Sequence, residues 1–173
     1  MRDELEKDRV WNILRKKTTR EELTFFSWHE KTGMIIKCRA DVFFPGDDSE
    51  VGEVLVLDLK SCASAHPRKL SKSCAEFGYH QQAAHYSDVI GGVFDKNVQF
   101  LFCSVEKQEP FHVGFFQLEE EDLRLGLRHR DEGLEKIKKI KEGKHSKGYF
   151  REESNIKTIG LPGWFRNQNR EDR

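Results

Sequence analysis

The chain has 173 residues, 36% hydrophobic and 35% charged, with mean hydropathy -0.74 and 30 Lys+Arg against 30 Asp+Glu. That length lets one domain bury its own core, and no apolar run is long enough to span a membrane. With no net charge there is no global basic field, so a nucleic-acid partner must be argued from a local patch or a site.

The segment Met1 to Lys7 is too charged for a signal peptide. Cys38, Cys62, Cys74 and Cys103 are scattered without a CxxC pair, which reads as reduced thiols of a cytoplasmic protein rather than a zinc or iron–sulfur site.

Asp3 to Glu22 is dense in charge, with Leu5, Val10, Trp11 and Leu14 as a narrow apolar stripe. This predicts one amphipathic helix on the surface or against a partner. Residues Leu23–His29 and Met34–Arg39, separated by Lys31-Thr32-Gly33, predict a hairpin whose second strand ends at Phe43-Phe44. A polar loop follows from Pro45 to Gly52. Val54 to Lys60 then reads as a strand buried on at least one face.

Two helical stretches follow Pro67, broken at Gly78 and stopped by Gly91-Gly92. Strands are predicted at Val98–Ser104 and Phe111–Gln117, then a long helix from about Glu119 to Lys141. Leu161-Pro162-Gly163-Trp164-Phe165 reads as an apolar plug that docks. The order is helix, four strands, helices, two strands, helix, which predicts an α/β or α+β layered domain.

If the strands flanking the Pro45–Gly52 loop pair antiparallel with Asp41 opposite Asp58, Phe44 falls opposite Leu55 and Pro45 to Asp48 stay outside the ladder. Opposed Cβ atoms lie roughly 4.5–5.5 Å apart. Lys60 shares a face with Asp58, two residues along the same strand. Two close carboxylates repel, and a divalent cation resolves the conflict; hard oxygen ligands favour Mg²⁺ or Mn²⁺. Lys60 would then orient or activate a water for phosphodiester hydrolysis. An Asp and a Lys at a strand end also form solvated ion pairs in many proteins. Here, however, both interrupt an apolar strand, where unused charge is costly.

Tyr79, Gln82 and Tyr86 lie at i, i+3 and i+7 on one helical face. They read as a half-buried packing face, or else Gln82 and Tyr86 reach over the site to hold Lys60 or a substrate phosphate. The basic run from Lys136 to Arg151 reads as a solvated helix end or a DNA-backbone contact, with Ile137 and Ile140 packing. His80 and His85 are five apart, a poor spacing for a shared zinc.

The strings Cys38-Arg39-Ala40-Asp41, Leu57-Asp58-Leu59-Lys60-Ser61, Tyr79 to Asp88, and Ile156 to Trp164 resemble the exodeoxyribonuclease VIII type of phage and prophage exonuclease, within the PD-(D/E)xK superfamily. The resemblance runs from about Phe25 to Trp164. It implies a restriction-endonuclease-like mixed sheet flanked by helices, with an N-terminal helix over 1–22, the nuclease-like domain over 23–165 and a polar tail over 166–173. By position, Asp41 and Asp58 resemble the metal-binding aspartates, and the Leu59 carbonyl a third metal ligand. Lys60 resembles the catalytic lysine, and Gln82 with Tyr86 the Q-x-x-x-Y motif. The implied activity is Mg²⁺-dependent 5′→3′ digestion of double-stranded DNA ends by a homo-oligomeric ring, working with a single-strand annealing protein in a bacterial or phage-infected cell.

Two positions depart from the pattern. Ala40 stands where the family has Pro. The family's upstream helix with a site histidine has no counterpart, since His29 falls in the hairpin, and this implies an N-terminally truncated, split or decayed member. An inactive DNA- or partner-binding scaffold, or an endonuclease of the same superfamily, are the other readings the motifs allow.

Overall fold

Asp8 divides the N-terminal segment in two. In the computed structural model, which describes residues 1–16, 19–46, 54–144 and 158–163, the Asp8 carboxylate accepts hydrogen bonds from the Val10 and Trp11 amides at 2.7 and 3.0 Å. An aspartate holding the orphan amides of a new helix outcompetes continuation of the old one. The single helix expected over 3–22 is therefore two short ones, α1 (Arg2–Lys7) and α2 (Arg9–Leu14), and by Arg20 the chain is already a strand. Nor do they lie idle on the surface. Leu14 is buried with Val42, Phe44, Leu57 and Val105, and Leu5 and Trp11 pack beside it.

The predicted hairpin forms as β1 (Arg20–His29) and β2 (Met34–Phe44). Its turn closes with the Gly33 amide donating to the His29 carbonyl at 2.9 Å. Then come β3 (Val54–Cys62), α3 (Pro67–Phe77), α4 (Tyr79–Phe94), β4 (Val98–Glu106), β5 (Val113–Phe116) and α5 (Glu120–Lys141). Three strands, not the expected four, precede α3 and α4, and β2 ends at Phe44 as expected. The sheet runs β1-β2-β3-β4-β5, antiparallel except for the parallel β3–β4 pair. Parallel neighbours need a long crossover, which α3 and α4 supply.

Two apolar clusters sandwich this sheet. Phe25, Phe43, Val54, Val56, Phe100 and Phe102 face α3 and α4, while the alternate residues Leu55, Leu57, Cys103 and Val105 face α2. Each fully buried Phe or Leu contributes about 1.5–3 kcal/mol. Val54 through Asp58 are all buried, so β3 is a central strand covered on both faces.

Gly78, at φ 69°, ends α3 and begins α4 in one left-handed residue, a conformation that side chains rarely adopt. Gly91-Gly92 does not stop α4. The helix runs on to Phe94, whose ring stacks on Phe43 at 5.3 Å and meets Phe25 at 5.9 Å edge-on; tertiary packing overrides the weak local propensity. β5 starts at Val113, later than expected, because Phe111 has φ 56° and cannot sit in a ladder.

The chain forms two compact units, residues 1–137 and 138–173. In the second, Ile140 is exposed, as is Ile137 at the end of the first, so neither packs as the sequence suggested. Ile159 and Leu161 are exposed too, and Trp164 and Phe165 lie outside the described residues. Among the described residues no helix is long and apolar enough to cross a membrane.

Candidate active site

The ladder between β2 and β3 pairs Val42 with Leu57, Phe43 with Val56 and Phe44 with Leu55, the expected register. Its continuation brings Asp41 to Asp58. Side-chain alternation along β2 slips at this point. Cys38 and Ala40 belong to the cluster under α4 and so does Phe43, whereas Val42 and Phe44 belong to the opposite one. Opposite Asp41, the register with β1 skips Glu22, whose φ is 53°. Such irregularities in a ladder re-aim side chains, and here the affected side chain is the first aspartate. Asp41 Oδ2 accepts the Leu59 amide at 2.8 Å, which ties the two strands at the site.

Asp58 is only 3% exposed. Gln82, one turn into α4, donates from Nε2 to Asp58 Oδ1 at 2.6 Å and accepts from Lys60 Nζ through Oε1 at 2.9 Å. That orientation of the amide is fixed by its neighbours, since the reverse would face oxygen to carboxylate and NH₂ to ammonium. Lys60 Nζ also stands 2.6 Å from Asp58 Oδ2. This is an ion pair by distance without the alignment of a hydrogen bond, and Oδ2 is otherwise buried with no donor on it.

The ammonium lies 4.7 Å from the Tyr79 ring centroid and 6.0 Å from that of Phe102, so aromatic faces floor the pocket. Gln82 lies near enough to the Tyr86 phenol to pull its pKa down against burial. The five predicted side chains Asp41, Asp58, Lys60, Gln82 and Tyr86 therefore converge.

Burial pushes the Asp58 carboxyl above the usual carboxylate range, against the pull of Lys60 and Gln82 and with a further push from Asp41. Burial likewise raises the Tyr86 phenol. Cys38 and Cys103 are pushed up to about 12 by burial, and all four cysteines are free thiols, which makes these two poor nucleophiles.

A divalent cation fits the donor set. A buried ionised carboxylate costs several kcal/mol unless compensated, and Asp58, with Asp41 adding repulsion, has only Lys60 and Gln82 to offset its burial. Among the described residues no cluster of three or more His, Cys, Asp or Glu surrounds it. The side chains therefore suit an ion that keeps waters and takes substrate oxygens, as Mg²⁺ does, rather than an all-protein cage.

The histidines serve elsewhere. His66 caps α3 through the Arg68 amide, and buried His29 meets Thr32 at 2.7 Å and Asp131 at 3.4 Å. His80 pairs with His129, and His85 with the Lys37 carbonyl. Two site residues were not singled out from sequence. Tyr79 was only one member of a helical stripe. Ser104, fully buried with an unpartnered hydroxyl, lies beside Lys60 in the parallel ladder, and nothing in its local sequence announces that pairing.

A profile for the family described as a PDDEXK-like domain of unknown function, DUF3799, matches residues 1–154. The chain belongs to this PDDEXK-like family.

Among solved structures, a candidate exonuclease from Eubacterium rectale superposes with TM-score 0.67 at 14% identity, over 97% of this chain and 62% of that one. The likeness establishes the fold, and this chain spans less than two thirds of that protein's length. A protein named SSO0001 gives TM-score 0.44 at 14% identity over 70% of this chain and 53% of its own. A search of curated proteins finds no match.

Proposed function

We propose that this PDDEXK-like domain hydrolyses DNA phosphodiester bonds with a divalent cation held by Asp41, Asp58 and the Leu59 carbonyl. The observation that carries the reading is the Asp58–Lys60–Gln82 triangle, closed by contacts of 2.6, 2.9 and 2.6 Å around a buried carboxylate. When bound, Mg²⁺ or Mn²⁺ would supply charge neutralisation at the scissile phosphate and lower the pKa of a water.

The protein's own share is preorganisation. Gln82 fixes the Asp58 carboxylate and the Lys60 ammonium at once, so neither must reorient when substrate arrives. Lys60, with a side chain only 18% exposed, offers positive charge in a low-dielectric pocket, where it stabilises charge developing on phosphate oxygens and holds the attacking water. Tyr86 stands beside Gln82, one turn further along α4.

By its likeness to the exodeoxyribonuclease VIII type, the reaction is 5′→3′ digestion of double-stranded ends by an oligomeric ring that hands a 3′ overhang to an annealing protein. The test incubates end-labelled linear duplex with Mg²⁺, alongside Asp58→Ala and Lys60→Ala. Nucleotides released from 5′ ends by the wild type alone support the reading. Cutting of closed circles would make the enzyme an endonuclease, and DNA binding without turnover would leave an inactive scaffold.

A further inference from the structure

The β1–β2 hairpin buries one face and leaves the other bare. Phe25, Ile36, Cys38 and Ala40 sit in the core, whereas Phe26 and Trp28 are each 60% exposed and Ile35 is 70% exposed. The ladder pairs Thr24 with Arg39, Phe26 with Lys37 and Trp28 with Ile35, so these six side chains share the solvent face. Residues two apart on a strand repeat every ~6.7 Å. Two exposed aromatic rings thus stand in a row, flanked by a row of two cations that leads along β2 toward Asp41.

Isolated surface aromatics need no explanation, but two neighbouring rings, with Lys37 directly opposite Phe26 and Arg39 next along β2, form a pattern with a chemistry. Lys37 forms no ion pair among the described residues. Arg39 is held by Glu22 at 2.9 Å with both partners more than half exposed, a pair that exchanges readily for a phosphate.

We propose that this hairpin face binds single-stranded nucleic acid, with bases stacking on Phe26 and Trp28 and backbone phosphates meeting Lys37 and Arg39. Every base offers a π-face, so the platform is sequence-tolerant, and a paired duplex, whose bases are stacked on one another, cannot use it. A protein partner fits less well, because lysine is depleted from protein interface cores and Lys37 stands directly opposite Phe26. The inference stands apart from the hydrolytic reading, since it requires neither metal nor Lys60.

The experiment measures anisotropy of a short fluorescein-labelled oligothymidylate in EDTA, where no hydrolysis occurs, with oligouridylate and a duplex of equal length as the other arms. Single strands should bind more tightly than duplex and quench a tryptophan emission that Trp28→Ala lacks. Phe26→Ala and Trp28→Ala should each weaken binding at least about ten-fold at unchanged melting temperature, and Lys37→Gln should lower the salt slope by about one. Comparison of the deoxy and ribo strands assigns the sugar. Binding unaffected by the two aromatic substitutions overturns the proposal. So does equal affinity for duplex, or self-association that the same substitutions abolish, which would make this face a contact between copies.

Discussion

The Leu59 amide donates to Asp41 Oδ2 at 2.8 Å, so the residue between Asp58 and Lys60 is bound to the aspartate of the neighbouring strand. That bond, with the Lys60 ammonium on Asp58, holds the two acidic groups together against their mutual repulsion. Burial adds to that cost at Asp58. A cation should relieve both.

Thermal melting in EDTA against Mg²⁺ or Mn²⁺ measures that relief. At a hundred times Kd, linkage adds about 2.7 kcal/mol. For a chain of this size that corresponds to a rise of roughly 5–10 °C. Asp58→Asn keeps an oxygen or amide toward Gln82 but removes the charge, and its melting temperature should not respond to the metal. An equal metal-dependent rise in the variant would place the ion elsewhere.

Gln82 touches both Asp58 and Lys60 and acts through them. Gln82→Ala should lower kcat by about 10–100-fold, the usual cost of losing a group that orients a metal ligand, while leaving the affinity for DNA in EDTA unchanged. Gln82→Glu keeps the size but sets a carboxylate against Asp58 Oδ1. It should raise the Asp58 carboxyl further and move the acidic limb of the pH–rate profile upward. A variant with weakened binding and normal kcat would mean that Gln82 serves substrate capture instead.

Much of this site was legible before any coordinates. Placing Asp41 opposite Asp58 leaves the turn-forming residues from Pro45 to Asp48 outside the ladder, and the observed pairing of Phe44 with Leu55 is that register. The helical spacing of Tyr79, Gln82 and Tyr86 placed them on one side of α4. What stayed hidden depends on tertiary neighbours. The slip at Asp41 shows only in which cluster Val42 and Phe43 join. The Tyr79 ring beneath Lys60 needs α4 docked on β4, and the Asp8 cap that splits the first helix competes with a pattern that is otherwise helical. The exposed row of Phe26 and Trp28 read simply as a β-prone stretch until its pairing partners were known.

Two glycines of α5 should respond oppositely to alanine. A Cβ on Gly126 would lie 2.2 Å from the His80 carbonyl oxygen and 2.9 Å from Ala84 Cβ, so α5 crosses α4 in backbone contact there. Gly126→Ala must push the helices apart, at about 1–3 kcal/mol or more, and α4 carries Gln82 and Tyr86. Both the denaturation midpoint and the nuclease rate should fall. Gly133, also inside α5, has nothing within 4 Å of its built Cβ. Gly133→Ala should stabilise by about 0.5–1 kcal/mol through helix propensity and a less entropic unfolded chain, with activity unchanged. Urea denaturation of the pair checks both signs in one experiment.

His85 supplies a pH dependence whose sign follows from its surroundings. Its Nε2 donates to the Lys37 carbonyl at 3.0 Å, while Nδ1 is buried with no partner. Burial lowers its pKa below the usual 6.5, helped by Arg130 and His29 and resisted by the Lys37 carbonyl and Asp88. Native His85 therefore stays neutral where the unfolded chain takes up a proton. Its contribution is fully present above pH 6.5 and is lost as pH falls from there toward the depressed native value. Asp58, raised by burial, has the opposite slope, because the native state there holds the extra proton as pH climbs above 3.8. The comparison must therefore be wild type against His85→Gln, which keeps a donor for the Lys37 carbonyl and cannot titrate. Between pH 7 and pH 5 the variant should lose less stability than the wild type, read from urea midpoints at each pH. Parallel curves would show that Nδ1 finds an acceptor on protonation and that His85 carries no pH dependence.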